Sequence, residues 1–246
     1  MRWFVLSIAI LASAAALAMH FAKIEWPDKL FWAEHTRVLL TCALISATAP
    51  WLQSFAVENN EKKRRKALEL EKSIKEFLTA ALVDISRAMA TDCTKAGLHA
   101  FLVKRPFPWT EEVQVRIARV KLSFNPPPSG ITWTKGKGVI GRCWTLRGNH
   151  VRNLEGWFAP HLAVTEQQWN GLPADTTYGL SFVEFTRTKE HFGTVAAVPI
   201  LAGGGTGKYK GCVSFDLPAG GPTLNEGDLT DRLRVCAHSI EVFLAG

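Results

Sequence analysis

The stretch Val195-Ala-Ala-Val-Pro-Ile-Leu201 is almost wholly apolar, and Lys210-Gly-Cys-Val-Ser-Phe-Asp216 follows it after a run rich in glycine. A short apolar run of the first kind predicts a buried strand. In the second stretch Val213 and Phe215 alternate, as the inward positions of a strand do. The segment Gly203–Gly207 between the two is typical of a hairpin loop. These residues predict an antiparallel hairpin within a mixed domain of strands and helices.

Further strands and helices are predicted on both sides of this hairpin. A strand is predicted over Ala96–Val103, and a second from Val113 to Phe124. The alternation of the second strand slips in phase near Ala118-Arg119, which predicts a bulge. A short helix is expected from Val139 to Leu146, and the stretch Glu226 to Leu244 has helical periodicity.

Three of these segments resemble one family in their order and spacing. The run Trp133-Thr-Lys-Gly-Lys-Gly-Val-Ile-Gly-Arg-Cys-Trp144 resembles the glycine turn and short helix of GAF domains. The hairpin resembles that family's central strand pair, and Leu224 to Phe243 resembles its closing helix. The resemblance covers about residues 75–246 and implies an antiparallel sheet of about six strands. It also implies helices on one face, a small-molecule pocket on the other, and dimers built by the terminal helices.

The expected fold class is therefore α+β: a GAF-like antiparallel sheet of about six strands with flanking helices, preceded by two transmembrane helices. We expect three parts. Residues 1–57 would form a transmembrane helical hairpin, residues 58–91 a juxtamembrane connecting helix, and residues 92–246 the GAF-like domain.

Two apolar runs are the basis of the membrane prediction. Trp3–Ala22 has His20 as its only strongly polar residue, and Val38–Val57 contains no charge. About 20 residues of helix span a hydrocarbon core of about 30 Å. The basic run Lys62–Lys66 then places the large domain in the cytoplasm of a multi-pass cell-membrane protein. Cleavage of the first run as a signal peptide stays open as an alternative.

The predicted connecting helix carries two apolar stripes. Glycine and proline are absent from Glu58 to Ala90. The stripes are Leu70, Ile74, Phe77 and Ala81, and Leu78, Leu82, Ile85 and Met89. One stripe could face a partner helix in a homodimer, or both could pack on the chain's own domain.

Charge and cysteine content exclude several classes of protein. The net charge is +7, but Lys62–Lys66 is the only dense basic run, so no nucleic-acid face is expected. The five cysteines are widely spaced and form no C-x-x-C, which argues against a disulfide framework or a zinc site. Gly136-x-Gly138-x-x-Gly141 matches a dinucleotide motif but lacks the preceding buried strand. No metal is expected, and the cofactor, if any, is unknown.

The candidate ligand-binding residues are aromatic and basic. They are Arg142, Trp144, Trp157, Phe158 and Tyr178. Residues 147–178 are interpreted as a pocket lid, in which aromatic rings and a guanidinium would stack and pair with a planar anion. The alternative is that these aromatic side chains fill the core under a long loop.

No catalytic motif is present, so the chain is expected not to be an enzyme. The leading hypothesis is a membrane-anchored, cytoplasm-facing sensor that signals through a separate output protein or its own oligomeric state. One alternative is a ligand-gated effector that disrupts membranes. Another is a redox enzyme of the methionine-sulfoxide reductase type, for which Cys93, Cys143 and Cys212 are the available thiols.

Overall fold

The computed structural model describes residues 2–24, 35–107, 109–122, 130–189, 193–203 and 207–245. The chain divides into two compact units, Met1–Glu69 and Leu70–Gly246. The second unit thus begins inside the predicted connecting helix rather than after it, because the later turns of that helix belong to the core of the domain.

Two helices account for the described part of the first unit. Helix α1 spans Arg2–Lys23, and helix α2, Thr36–Ala88, begins there and continues into the second unit. Helix α1 covers the first apolar run of the sequence, and the N-terminal part of α2 covers the second, Val38–Val57. Among the described residues, however, no helix has the length and hydropathy that crossing a bilayer requires. The predicted pair of transmembrane helices is therefore not supported by the structure.

The second unit alternates strands with short helices. Its strands are β1 (Gly97–Lys104), β2 (Val113–Lys121), β3 (His150–Asn153), β4 (Thr194–Leu201) and β5 (Tyr209–Asp216). Its further helices are α3 (Gly138–Leu146), α4 (Leu154–Phe158), α5 (Glu166–Asn170), α6 (Ala174–Thr177), α7 (Phe182–Thr188) and α8 (Glu226–Ala245). A single 3-10 turn, Ala159–His161, follows α4.

The described strands form one antiparallel sheet in the order β2-β1-β5-β4-β3. The sheet has five strands in the described residues, where about six were expected. The predicted hairpin is confirmed as β4 and β5, with Val198 opposite Val213. Strand β3 was not predicted, because its four residues are too few and too polar to show an alternating pattern.

The predicted bulge lies between β1 and β2. Ala100 pairs with Ala118, whereas Phe101 pairs with Arg116, so Ile117 is the extra residue. It lies one residue before the predicted phase slip. The bulge resets the alternation, and Arg116 and Arg119 consequently lie on the same face of the sheet.

The first face of the sheet is covered by α2 and α8. Both apolar stripes of α2 pack against this core, as do Leu229, Leu233 and Ile240 of α8. Phe77 and Phe243 meet edge to face with ring centroids 5.8 Å apart, and Arg232 pairs with Asp84 at 2.8 Å. The alternative in which α2 packs on its own domain is thus observed, and pairing with a second copy stays a prediction.

The opposite face is covered by short helices around an aromatic core. Trp169 and Phe185 stack with centroids 3.9 Å apart, and Phe158 meets Phe185 at 5.1 Å. Capping boxes formed by Thr165 and Ser181 start α5 and α7. Residues 147–178, expected to form a pocket lid, are therefore a strand and several packed helices, and the core alternative holds for most of their aromatic rings.

Candidate functional site

The glycine-rich turn before α3 is joined to the chain around Tyr178. Gly138 N donates to Tyr178 O at 2.7 Å, and Lys137 Nζ pairs with Glu184 at 3.0 Å. Gly136 N also donates to Gly141 O at 2.9 Å, which folds the turn onto the start of the helix. This arrangement places the first turns of α3 beside Tyr178.

Two arginines stack on aromatic rings at this point. Arg142 Cζ lies 4.2 Å from the centre of the Tyr178 ring, and Arg152 Cζ lies 3.8 Å from that of Trp157. The two rings meet edge to face at 5.6 Å, and Trp157 Nε1 donates to Thr176 O at 3.0 Å. We call Arg142, His150, Arg152, Trp157 and Tyr178 the arginine–aromatic cluster. Cation–π contacts hold both guanidinium groups in place.

Positive charge exceeds negative charge in the described surroundings of this cluster. Arg142 Nη2 contacts Asp175 Oδ1 at 2.8 Å, but the Asp175 side chain is 91% exposed. An ion pair with so exposed a partner contributes little. The Nε atoms of Arg142 and Arg152 are buried and have no hydrogen-bond acceptor among the described residues. A buried donor without an acceptor costs about 1–3 kcal/mol, so the cluster is incompletely satisfied as it stands.

His150 completes the cluster. Its Nε2 lies 3.4 Å from the Tyr178 hydroxyl. Burial lowers the pKa of His150, and the neighbouring charges of Arg142 and Arg152 lower it further. Burial raises the pKa of Tyr178, although both guanidinium groups oppose the rise. His150 and Tyr178 are therefore neutral near pH 7, and the net charge of the cluster comes from its arginines.

The structure brings together three of the five predicted site residues: Arg142, Trp157 and Tyr178. Trp144 lies outside the cluster: it is partly buried against the aromatic core and stacks on Tyr209 with ring centroids 5.7 Å apart. Phe158 and Tyr178 are both 2% exposed and belong to the same aromatic core, but of the two only Tyr178 is in contact with an arginine of the cluster.

Sequence reasoning missed His150 and Arg152. They occupy alternate positions of β3, a strand whose existence the sequence did not indicate. Recognition of that strand would have placed both side chains on one face of the sheet.

Two cysteines, Cys143 of α3 and Cys212 of β5, lie in a buried polar network between α3 and the sheet. Cys212 Sγ contacts Gln114 Oε1 at 3.3 Å, and the Tyr209 hydroxyl donates to the same oxygen at 2.9 Å. Cys143 is a further hydrogen-bond neighbour of Cys212, and neither thiol is exposed. Burial raises the pKa of Cys212 well above its ordinary value. The thiolate that redox catalysis requires is therefore disfavoured at Cys212.

A groove of about 730 Å³ lies on the other face of the sheet, against α8. It is lined by residues of β4, the turn 147–149 and residues 231–241 of α8, and it contains none of the predicted site residues. Within the described residues, no group of three or more His, Cys, Asp or Glu side chains is placed to hold a metal ion.

Comparison with known proteins gives likenesses of fold. No protein-family model and no curated protein matches the chain. A GAF domain region from Geobacter sulfurreducens PCA is 14% identical, covers 75% of this chain and 98% of that chain, and has a TM-score of 0.48. The GAF domain of an Acinetobacter phosphoenolpyruvate-protein phosphotransferase is 14% identical, with coverages of 76% and 93% and a TM-score of 0.43.

A type II free methionine-R-sulfoxide reductase from Thermoplasma acidophilum is also similar. It is 11% identical, with coverages of 71% and 94% and a TM-score of 0.41. Because each identity is below 25% and each TM-score below 0.5, these likenesses say nothing of activity. In fold the second unit is similar to these GAF domains: its described strands form an antiparallel sheet, with the first and last helices of the unit on one face and short helices on the other.

Proposed function

We propose that the second unit is a sensory module that binds an anionic small molecule at the arginine–aromatic cluster. The observation that carries this proposal is the pair of guanidinium groups stacked on Tyr178 and Trp157, with one highly exposed carboxylate as their described counterion. Guanidinium groups bind carboxylates and phosphates through parallel hydrogen bonds. The partly exposed ring of Trp157 beside them favours a planar ligand.

A binding role has more support than a catalytic one. The described basic and aromatic groups offer hydrogen-bond donors and ring surfaces, whereas Cys143 and Cys212 are buried, and burial raises the pKa of the Cys212 thiol. Of the three thiols considered for a redox enzyme, Cys93 is partly exposed, whereas Cys143 and Cys212 would have to reach a substrate from buried positions. The proposal therefore assigns no catalytic residue.

Benzoate, a planar aromatic carboxylate, serves as the probe for this site. We expect it to raise the melting temperature of the wild-type protein by mass action. Arg142→Gln and Arg152→Gln should each weaken the apparent affinity by about tenfold or more, since a charge-assisted hydrogen bond is lost. Arg234→Gln is the matched control, because Arg234 is exposed and pairs with Asp231 within α8. Equal shifts in all four proteins would contradict the proposal.

The pH dependence of the same titration follows from His150. Its pKa is lowered in the free protein. A bound anion favours the protonated imidazole and raises that pKa, so binding takes up a proton. Benzoate affinity should therefore increase as the pH falls below about 6.5, the ordinary histidine pKa, and His150→Asn should flatten this dependence. Mass spectrometry of small molecules that co-purify with the protein would identify the natural ligand.

We further propose that this module is attached to the cell membrane by residues 1–57 and faces the cytoplasm. Several large apolar side chains of α1 and α2 are exposed by half or more, and Lys62–Lys66 follows them. They include Ile10, Leu17, Leu44, Trp51 and Phe55. Such exposed apolar side chains mark a surface that lipid or protein covers. A C-terminal reporter fusion should be active only on the cytoplasmic side, and activity on the outer side would refute this orientation.

The output of the sensor is proposed to pass through a homodimer or a separate protein. Helices α2 and α8 contact each other through Phe77 and Phe243, so a displacement of one helix would change the packing of the other. A membrane-disrupting effector is the alternative, and toxicity on expression would separate it from the sensor.

A further inference from the structure

Two aromatic side chains are exposed at the tip of the β1–β2 hairpin, residues 105–112. Trp109 is 83% exposed and Phe107 is 52% exposed. Their rings stack with centroids 6.0 Å apart and planes inclined by 14°. Within the described residues, neither ring packs on either apolar core of the second unit. Large apolar side chains grouped on a surface mark a place that a membrane or another protein covers.

Hydrogen bonds hold the tip in one turn. Thr110 N donates to Phe107 O at 3.1 Å, and Phe107 N donates to the Thr110 hydroxyl at 3.0 Å. At the base of the turn Arg105 contacts Glu112 at 3.4 Å. A turn fixed in this way presents the two rings without a further entropic cost of ordering the backbone when a surface binds them.

The tip lies beside the turn that joins β4 and β5. Leu102 of β1 is paired with Gly211 of β5, so the end of β1 that leads into the tip is next to the start of β5. Gly203 N in the β4–β5 turn donates to Glu241 Oε1 in the last turns of α8 at 2.7 Å. The tip is therefore at the end of the sheet that the C-terminal part of α8 reaches.

The same end of the sheet is where the chain enters the second unit. Phe243 near the end of α8 meets Phe77 of α2, whereas Arg232 near the start of α8 pairs with Asp84 of α2. The two helices are therefore antiparallel, and the C-terminal part of α8 lies beside the earlier turns of α2. Because the second unit begins at Leu70, within α2, the tip and the first residues of the unit lie toward one end of it.

Basic side chains surround the tip and the neighbouring turn. Four of them are exposed: Lys104, Arg105, Lys208 and Lys210. The three lysines have no ion pair with any described residue. Glu111 and Glu112 are the acidic residues of the tip, and Glu241, which bonds to the turn, is only 15% exposed. The exposed charge here is net positive, which complements an anionic lipid surface.

We infer that the tip of the β1–β2 hairpin is a membrane-docking surface. Tryptophan favours the boundary between lipid headgroups and acyl chains, because its ring is apolar and its indole N–H is polar. The rings of Trp109 and Phe107 enter this boundary, and the surrounding basic side chains contact anionic headgroups. The inference rests on the proposed attachment of the chain to the membrane, and it adds a second contact that fixes the orientation of the sensory module.

The test uses the full chain bound to vesicles of phosphatidylcholine and phosphatidylglycerol, with part of the phosphatidylcholine brominated on its acyl chains. Bromine quenches the fluorescence of those indoles that reach the bilayer. The wild-type protein should lose more intensity to the brominated lipid than Trp109→Phe does, by the emission of a single indole. Trp144→Phe is the matched control. Trp144 packs against the aromatic core, so its replacement should leave the lost intensity at the wild-type value.

The charge requirement is tested with lysine variants in the same assay. Lys104→Gln and Lys210→Gln should each lower the ratio of docked to free tip by about fivefold, the usual effect of removing one cation from an anionic membrane surface. Lys95→Gln is the matched control, because Lys95 is exposed at the opposite end of β1 and should leave the ratio unchanged. Vesicles of phosphatidylcholine alone should show weaker quenching of Trp109.

Flotation of the vesicles separates this inference from the proposed attachment. The wild-type protein and every variant should float equally, since residues 1–57 provide the attachment. Protein that floats without quenching of Trp109 overturns the inference and leaves the attachment in place. A blue shift of Trp109 emission without quenching would show that a protein surface covers the tip instead. Equal losses in Lys95→Gln and Lys104→Gln would also overturn it, and protein that does not float contradicts both proposals.

Discussion

Replacement of Trp169 by alanine is expected to destabilise the second unit by about 3–5 kcal/mol, the usual cost of deleting a large buried aromatic ring. Trp169 is 1% exposed, stacks on Phe185 at 3.9 Å, and donates its Nε1 hydrogen to Leu180 O at 3.0 Å. The substitution removes the stack and leaves Leu180 O without that donor. Chemical denaturation followed by circular dichroism would measure the loss.

Trp109 is the matched control for this substitution. It is 83% exposed, so Trp109→Ala should change the free energy of unfolding by less than about 0.5 kcal/mol. If Trp169→Ala changed the free energy of unfolding as little as the control does, the aromatic side chains after β3 would not be packed in a core. The core in the structure would then be wrong.

Gly141→Ala is expected to cost about 3 kcal/mol, at the upper end of the range for overpacking a filled site. A Cβ at this position would lie 2.2 Å from the backbone oxygen of Thr134 and 3.1 Å from Gly136 atoms. These neighbours are backbone, so they cannot rotate away. The measured quantity is again the free energy of unfolding.

Gly148→Ala provides the comparison for Gly141. Its nearest neighbour is Leu146 O at 3.7 Å, an ordinary contact, and the substitution should be nearly neutral. A small effect at Gly141 would contradict the close packing of the turn on α3. A large loss of stability would support the interpretation that the glycine motif forms a tight turn. The sequence favours the same interpretation, because the buried strand that precedes a dinucleotide-binding motif is missing from it.

The elements predicted correctly from sequence are those with a strong local pattern. The apolar run of β4 and the periodic α8 begin and end within two residues of their predicted bounds. Strand β3 and helices α4 to α7 were missed, because they are four to seven residues long. Their hydrophobic residues are too few to show the periodicity of a strand or a helix. Such short elements are stabilised by tertiary contacts more than by their own sequence.

The candidate site was predicted in part for a related reason. Arg142 was identified because it follows a recognisable glycine turn, and Tyr178 and Trp157 because large aromatic residues stand out. Their partners Arg152 and His150 come from β3, and the sequence alone did not indicate its pairing with β4. Phe158 and Trp157 are adjacent in the chain, yet one is buried in the core and the other stacks with Arg152. The orientation of α4 determines which of these two side chains enters the core.

The contact between Phe77 and Phe243 brings the two ends of the second unit close together. Residues from the first and last helices of the second unit meet in one layer, so its entry and exit points are neighbours. A unit with adjacent ends tolerates insertion into a loop of another protein, and also circular permutation. Joining the ends with a short linker and opening the chain at the β4–β5 turn would leave every layer of the fold in place.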